Sequence, residues 1–237
     1  MSKDSSPARG PRAEAVVRTI DGHRYPVRRA APRSPHSRLG SNLATENHGF
    51  ESQILDAVRR YLDWGWFLVP LHAVFDQFRC TCGREDCQSV GKHPLVRNGI
   101  YDARRDPGAL AWWEWWPWAN IGVNVGASGL SVLDIDPRND GDASLAALLA
   151  ENGELPPTLV ARTGGGGRHF VFEESTRSLR SAKIAKGVDF LATGSLFVAE
   201  PSFHKSGSRY EWWNVDEVLA PVPEWLRHWA DDSEGSR

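Results

Sequence analysis

The chain has 237 residues, 41% hydrophobic and 24% charged, enough to bury one substantial core with a small satellite module. Its net charge of -2 excludes a uniformly basic nucleic-acid coat, and three cysteines are too few for a disulfide scaffold. No apolar stretch has the length of a signal peptide or a bilayer span, so the sequence reads as intracellular, in the cytoplasm, without a membrane partner.

Charge is divided unevenly. Residues 1–48 hold nine Lys or Arg against four Asp or Glu, which leaves 19 against 26 of the chain's 28 basic and 30 acidic residues for the remainder. This opening stretch is rich in Pro, Ser and Arg and has no sustained apolar period, the composition of a disordered basic tail. A solvated tail is favoured over one that binds nucleic-acid phosphates. The folded domain is expected over 49–230, with a second disordered tail at 231–237.

The first predicted element is a helix from Ser52, where Ile54, Leu55, Val58, Tyr61 and Leu62 recur at helical spacing and Gly65 marks the stop. Trp66 to Leu71 reads as a buried strand. An insertion at about 78–95 follows, holding every cysteine of the chain: Cys80, Cys82 and Cys87, with His93. Three thiols and one imidazole form a complete set for a closed, structural, tetrahedral Zn²⁺ site, although the spacing is not that of a regular zinc ribbon. A second helix is expected after Asp106-Pro107, an N-cap followed by proline, and ends before Pro117. Its Trp112, Trp113, Trp115 and Trp116 read as packing residues in preference to a base-stacking platform.

Beyond Pro117 strands predominate. Asn120 to Val125 and Leu130 to Asp136 read as a hairpin around Gly126 to Gly129. Residues two apart on a strand share a face, so Asp134 and Asp136 project together. Side-by-side carboxylates repel unless a cation lies between them, and oxygen ligands suit Mg²⁺ or Mn²⁺. The competing reading of the same pair is a cap on the turn at Pro137. A short helix is expected at Ala143 to Leu149.

A second hairpin, Thr158 to Thr163 with Arg168 to Phe172, encloses Gly164 to Gly167, whose backbone can approach phosphate oxygens while Arg168 and His169 add donors. The competing reading is a flexible turn; it is not a Walker A loop, because no Gly-Lys-Ser/Thr follows. Asp189, between Val188 and Phe190, is a third acid on a strand, where an isolated charge is costly. Leu196 to Ala199 and Arg209 to Trp212 complete the strands, and a helix at Trp225 to Trp229 closes the domain. The order predicts an α+β fold, with a mixed or antiparallel sheet flanked by helices.

In that order, Gly91-Lys92-His93-Pro94, Trp113 with Pro117 and Asn120-Ile121-Gly122-Val123, Val132 to Asp136, Gly166-Gly167-Arg168-His169, Gly187-Val188-Asp189, and Pro201-Ser202-Phe203-His204 with Gly207 and Tyr210 resemble one family. It is the bifunctional DNA primase/polymerase, or Prim-Pol, domain of the archaeo-eukaryotic primase superfamily, and the match runs from about Ile54 to Trp213. The resemblance implies a catalytic palm related to the RNA-recognition (RRM) fold and a zinc-bearing element beside the active site. It implies catalytic metal binding by Asp134, Asp136 and Asp189 and nucleotide phosphate contact by His169, while Lys92, Arg168, Ser202 and His204 match positions around the nucleotide. Glu200 departs from the proline the family often has before Pro201.

The function so implied is template-dependent nucleotidyl transfer, as a DNA primase or DNA polymerase, by a two-metal mechanism in replication of a plasmid, phage or integrated element. Single-stranded DNA template and nucleoside triphosphates are the expected partners. Without a Walker A motif, helicase activity is expected to reside in a separate candidate partner. The alternatives are a catalytically inactive single-stranded nucleic-acid-binding module and a metal-dependent nuclease.

Overall fold

The computed structural model describes residues 16–20, 23–27, 42–75, 79–174 and 179–230, with side chains from Gly49 onward. The chain forms two compact units, Met1–Ala44 and Thr45–Arg237. In the first, β1 (Val16–Ile20) pairs antiparallel with β2 (His23–Val27). No element was expected there; the rest of the expected tail before Asn42, and the tail at 231–237, lie outside the described residues.

Helix α1 spans Asn42–Asp63 and so begins earlier than expected. Ile54, Ala57, Val58 and Tyr61 form its buried stripe. Gly65, at φ +79°, ends it: Trp66 N–H donates to Tyr61 O and Gly65 N–H to Leu62 O, a pattern that satisfies carbonyls left open by the last turn. Strand β3 (Leu68–Leu71) follows, then the short antiparallel pair β4 (Val74–Phe75) and β5 (Arg79–Cys80), which leads into the cysteine loop.

Asp106 caps the next turn, its carboxylate accepting from Gly108 N–H at 2.9 Å, and α2 (Leu110–Trp115) continues from it. Trp112 and Trp113 are buried, and the Trp113 indole donates to Ala119 O, which makes them packing residues. Burying one such aromatic is worth about 4–6 kcal/mol at the usual area coefficient.

The expected hairpin between Asn120 and Asp136 does not form. Strand β6 (Asn120–Asn124) and β7 (Leu130–Ile135) are joined by a turn in which Leu130 N–H donates to Val125 O, but they enter different sheets. β6 is the middle of a three-stranded antiparallel sheet between β3 and β12 (Leu196–Ala199). Gly122 permits this packing: a Cβ there would stand 2.8 Å from Leu71 Cδ2.

After β7 the chain runs through α3 (Gly141–Asn152), β8 (Leu159–Arg162), β9 (Arg168–Glu173), β10 (Ala182–Ala185), β11 (Val188–Leu191), β13 (Glu211–Trp212, following β12) and α4 (Glu224–Ala230). The main sheet has the order β10-β11-β7-β9-β8-β13, and every pair in it is antiparallel. β7-α3-β8 is a split crossover unit with β9 inserted between its strands. Leu133, Ile135, Phe172, Val188 and Phe190 face the helices and pack with Leu145, Leu148 and Leu226. Strand alternation sends the intervening residues of β7, Asp134 among them, to the opposite face. Phe197 of β12 meets His169 edge-on there, with ring centroids 5.6 Å apart. The fold is α+β with antiparallel sheets.

Candidate functional site

On that opposite face Asp134 of β7 lies directly across from Asp189 of β11 and from His169 of β9. The three form one cross-strand row. Like charges at directly opposed positions destabilise a sheet unless a cation or proton intervenes. His169 Nε2 is 3.5 Å from Asp134 Oδ1, while Nδ1 is buried without a hydrogen-bond partner. Burial lowers the His169 pKa below its ordinary value, the Asp134 charge opposing that shift.

Asp136 lies just beyond β7 and caps the turn at Pro137. Oδ1 accepts from Arg138 N–H and Nε, and Oδ2 from Arg138 Nη2 and Asn139 Nδ2, at 2.9–3.1 Å. Arg138 thereby holds this carboxyl below the usual carboxylate range. A carboxylate has about four lone-pair sites, so all of them are engaged. Asp136 thus caps the turn, the competing reading of the Asp-x-Asp pair, and also lines the same cavity as Asp134.

That cavity, of about 70 Å³, is polar. Asp134, Asp136 and His169 form one side, and Lys92, Arg138, His204, Tyr210 and the Thr163–Gly165 turn complete it. With roughly 30 Å³ per liquid water, its volume accommodates cations or phosphate oxygens; a nucleoside would lie outside it. His204 is almost fully buried. Its Nδ1 accepts from Ser206 N–H at 3.1 Å, so in the neutral ring the proton sits on Nε2, which is buried and has no partner. Burial, then Lys92 and Arg138, push the His204 pKa down to about 4. At neutral pH His204 is therefore uncharged, and it lines the cavity together with Lys92 and Arg138.

Two residues expected near a nucleotide are placed elsewhere. Arg168 neighbours His169 on a strand and so points to the other face, where it pairs with Asp142 of α3. Ser202 is fully buried, and its Oγ accepts from Ile121 N–H at 2.8 Å, which fixes its segment to β6. The amides of Gly166 and Gly167 bond to Thr163 within the turn and are not free for an anion. Gly167 is needed for packing, since a Cβ there would stand 2.2 Å from Ile135 O. Sequence reasoning missed Arg138, although it lies only two residues after Asp136; the turn that folds it back was the available signal.

The cysteine loop collects its ligands as expected. The donor atoms of Cys80, Cys82, Cys87 and His93 all lie within 4.8 Å of one another, and His93 Nε2 is 3.3 Å from Cys80 Sγ and 3.6 Å from Cys87 Sγ. Sulfur and nitrogen bound tetrahedrally to one zinc are about 3.5 Å apart, so the donor set fits Zn²⁺. Among the described residues this is the one group of three or more potential ligands gathered so closely. The three carboxylates do not converge to that degree. His93 packs on His72, whose pKa burial lowers to about 4. Lys92, the residue before His93, lines the carboxylate cavity.

A family model described as the N-terminal domain of bifunctional DNA primase/polymerase, Prim-Pol, matches residues 58–225. No curated protein matches the chain. Among the described residues no helix is long and apolar enough to cross a membrane.

Proposed function

The chain belongs to the bifunctional DNA primase/polymerase (Prim-Pol) family, and from that premise we propose that it catalyses template-dependent nucleotidyl transfer at the cavity beneath Asp134. The observation that carries this reading is the lining of one polar cavity by two acids, Asp134 and Asp136, and by a donor wall of Lys92, Arg138 and His204, with Asp189 directly across the sheet from Asp134. A cavity that brings acids and donors together matches a divalent cation chelated by a triphosphate. The β11-β7-β9-β8 part of the sheet, with its split crossover through α3, supports the RRM-like palm that the resemblance implies.

Asp134, Asp189 and Asp136 would hold Mg²⁺ or Mn²⁺, which would activate the attacking hydroxyl and stabilise the leaving pyrophosphate. Asp136 joins such a set only by releasing one of its contacts to Arg138 or Asn139, and a released Arg138 guanidinium would turn to the triphosphate. His204 Nε2–H would donate to a phosphate oxygen, and Lys92 would balance its charge. His169, neutral at physiological pH, would orient Asp134 from Nε2. The template is single-stranded DNA, and the setting is replication of a plasmid, phage or integrated element. Zinc would order the loop that brings Lys92 to the site.

Incorporation of labelled nucleotides on single-stranded DNA, with and without a primer, in Mg²⁺ or Mn²⁺, tests this. Metal-dependent product absent from the Asp134→Ala protein is expected, and product without primer adds primase activity. The saturated carboxylate of Asp136 favours one second reading, a nucleic-acid-binding module without catalysis. Tight DNA binding with no product in either metal would establish that instead.

A further inference from the structure

Asn120 opens β6 and is fully buried. Nδ2 donates to Gly91 O at 2.9 Å and to Phe203 O at 2.8 Å, and Oδ1 accepts from Phe203 N–H at 2.9 Å. The two backbone segments so joined are far apart in sequence. Gly91 immediately precedes Lys92 and the zinc-loop ligand His93; Phe203 immediately precedes His204. One side chain therefore ties together the segments that supply two members of the donor wall.

We infer that Asn120 is a positioning residue for the reaction, a clamp that fixes Lys92 and His204 relative to each other and couples the zinc loop to the nucleotide pocket. The junction has little slack. A Cβ on Gly91 would stand 2.9 Å from Val74 Cγ2 and 3.2 Å from Asn120 Nδ2. Asn120 is itself pinned by the pairing of β6 with Leu71, and the next residue, Ile121, donates to Ser202 Oγ. Each bond restrains a backbone atom next to the residue whose side chain enters the cavity. Loss of the clamp therefore shifts the tips of Lys92 and His204, and reactions depend steeply on such placement.

The inference rests on the cavity being the nucleotide site. Asn120→Asp keeps the size of the side chain and an acceptor for Phe203 N–H, but sets a carboxylate oxygen against the Gly91 and Phe203 carbonyls. In the zinc-loaded full-length protein the nucleotide KM is expected to rise about 10- to 100-fold, the range for outer partners that orient functional groups. Primer-template affinity stays unchanged, kcat falls much less than KM rises, and zinc passes faster to a chromogenic chelator. Gly91→Ala strains the same junction from the other side and should do the same; it carries the test if Asn120→Asp does not fold. Leu226→Ala, on the buried face of α4, lowers Tm without changing KM or zinc release.

Wild-type KM and zinc release in a folded junction variant overturn the clamp, as does a KM rise that Leu226→Ala reproduces. A wild-type protein without nucleotide-dependent synthesis overturns the nucleotide assignment instead. Zinc release is read independently of synthesis and separates the two failures.

Discussion

His204→Asn separates the two nitrogens of one imidazole. Asn Oδ1 falls near the place of the His Nδ1 and can keep the contact with Ser206 N–H, 3.1 Å in the wild type, while nothing replaces the buried Nε2–H. If that N–H meets a phosphate oxygen, its loss removes a hydrogen bond to a charged group, worth about 1.5–3 kcal/mol. Nucleotide affinity should then fall roughly 10- to 150-fold. Folding stability should hold or rise, because the deleted donor has no protein partner and an unsatisfied buried donor costs about 1–3 kcal/mol. His204→Gln supplies the converse: its amide reaches the Nε2 position and restores part of the affinity, while the tie to Ser206 is lost. Equilibrium dialysis with a labelled nucleoside triphosphate, beside thermal unfolding without nucleotide, reads both quantities. Wild-type nucleotide affinity in a folded His204→Asn protein would falsify the assignment of this donor to phosphate.

Three further outcomes are expected. Cys80→Ser should abolish zinc binding, measured as metal per chain, and cost at least about 3 kcal/mol, which is roughly 6–12 °C in Tm for a domain of this size; a metal-free wild-type protein of full stability would remove the zinc site. Trp113→Ala, which loses a fully buried indole and its bond to Ala119 O, should cost about 3–5 kcal/mol with DNA affinity preserved in protein that remains folded; weakened DNA binding at unchanged stability would return it to a stacking role. Stability should fall as pH drops from neutrality, because His204 and His72 titrate at about 4 when folded and at the ordinary histidine value of 6.5 when unfolded. Between those values the unfolded chain binds protons the folded chain does not, so stability is full above 6.5 and is lost as pH approaches 4, by at most about 1.4 kcal/mol per pH unit for each histidine. His204→Asn should flatten that slope in denaturant titrations, and an unchanged slope would contradict the assigned cause.

The face that Asp134 takes on β7 and the composition of the cysteine loop were legible in the chain itself, because both follow from local spacing. Alternation on β7 places Asp134 away from Leu133 and Ile135, and the Cys80 to His93 ligands lie within one loop. The helices around Val58 and Trp113 followed from periodicity and an N-cap in the same way. Alternation also held the answer for Arg168, which cannot share a strand face with His169.

Pairing between distant segments was not legible. The Asn120 to Asp136 stretch has the pattern of a hairpin, yet β6 joins β3 and β12 while β7 joins β9 and β11, because burial of both faces depends on partners that local sequence does not name. The same limit hid the Arg138 contact to Asp136, the return of Ser202 onto Ile121 and the Asn120 bridge between Gly91 and Phe203. Sequence by itself determined which chemical groups are present and which neighbours share a face, since backbone geometry repeats over a few residues. Tertiary structure alone decided which groups meet across the cavity, since a buried amide, carboxylate or imidazole takes its partners from whatever chain the folded core brings within hydrogen-bonding reach.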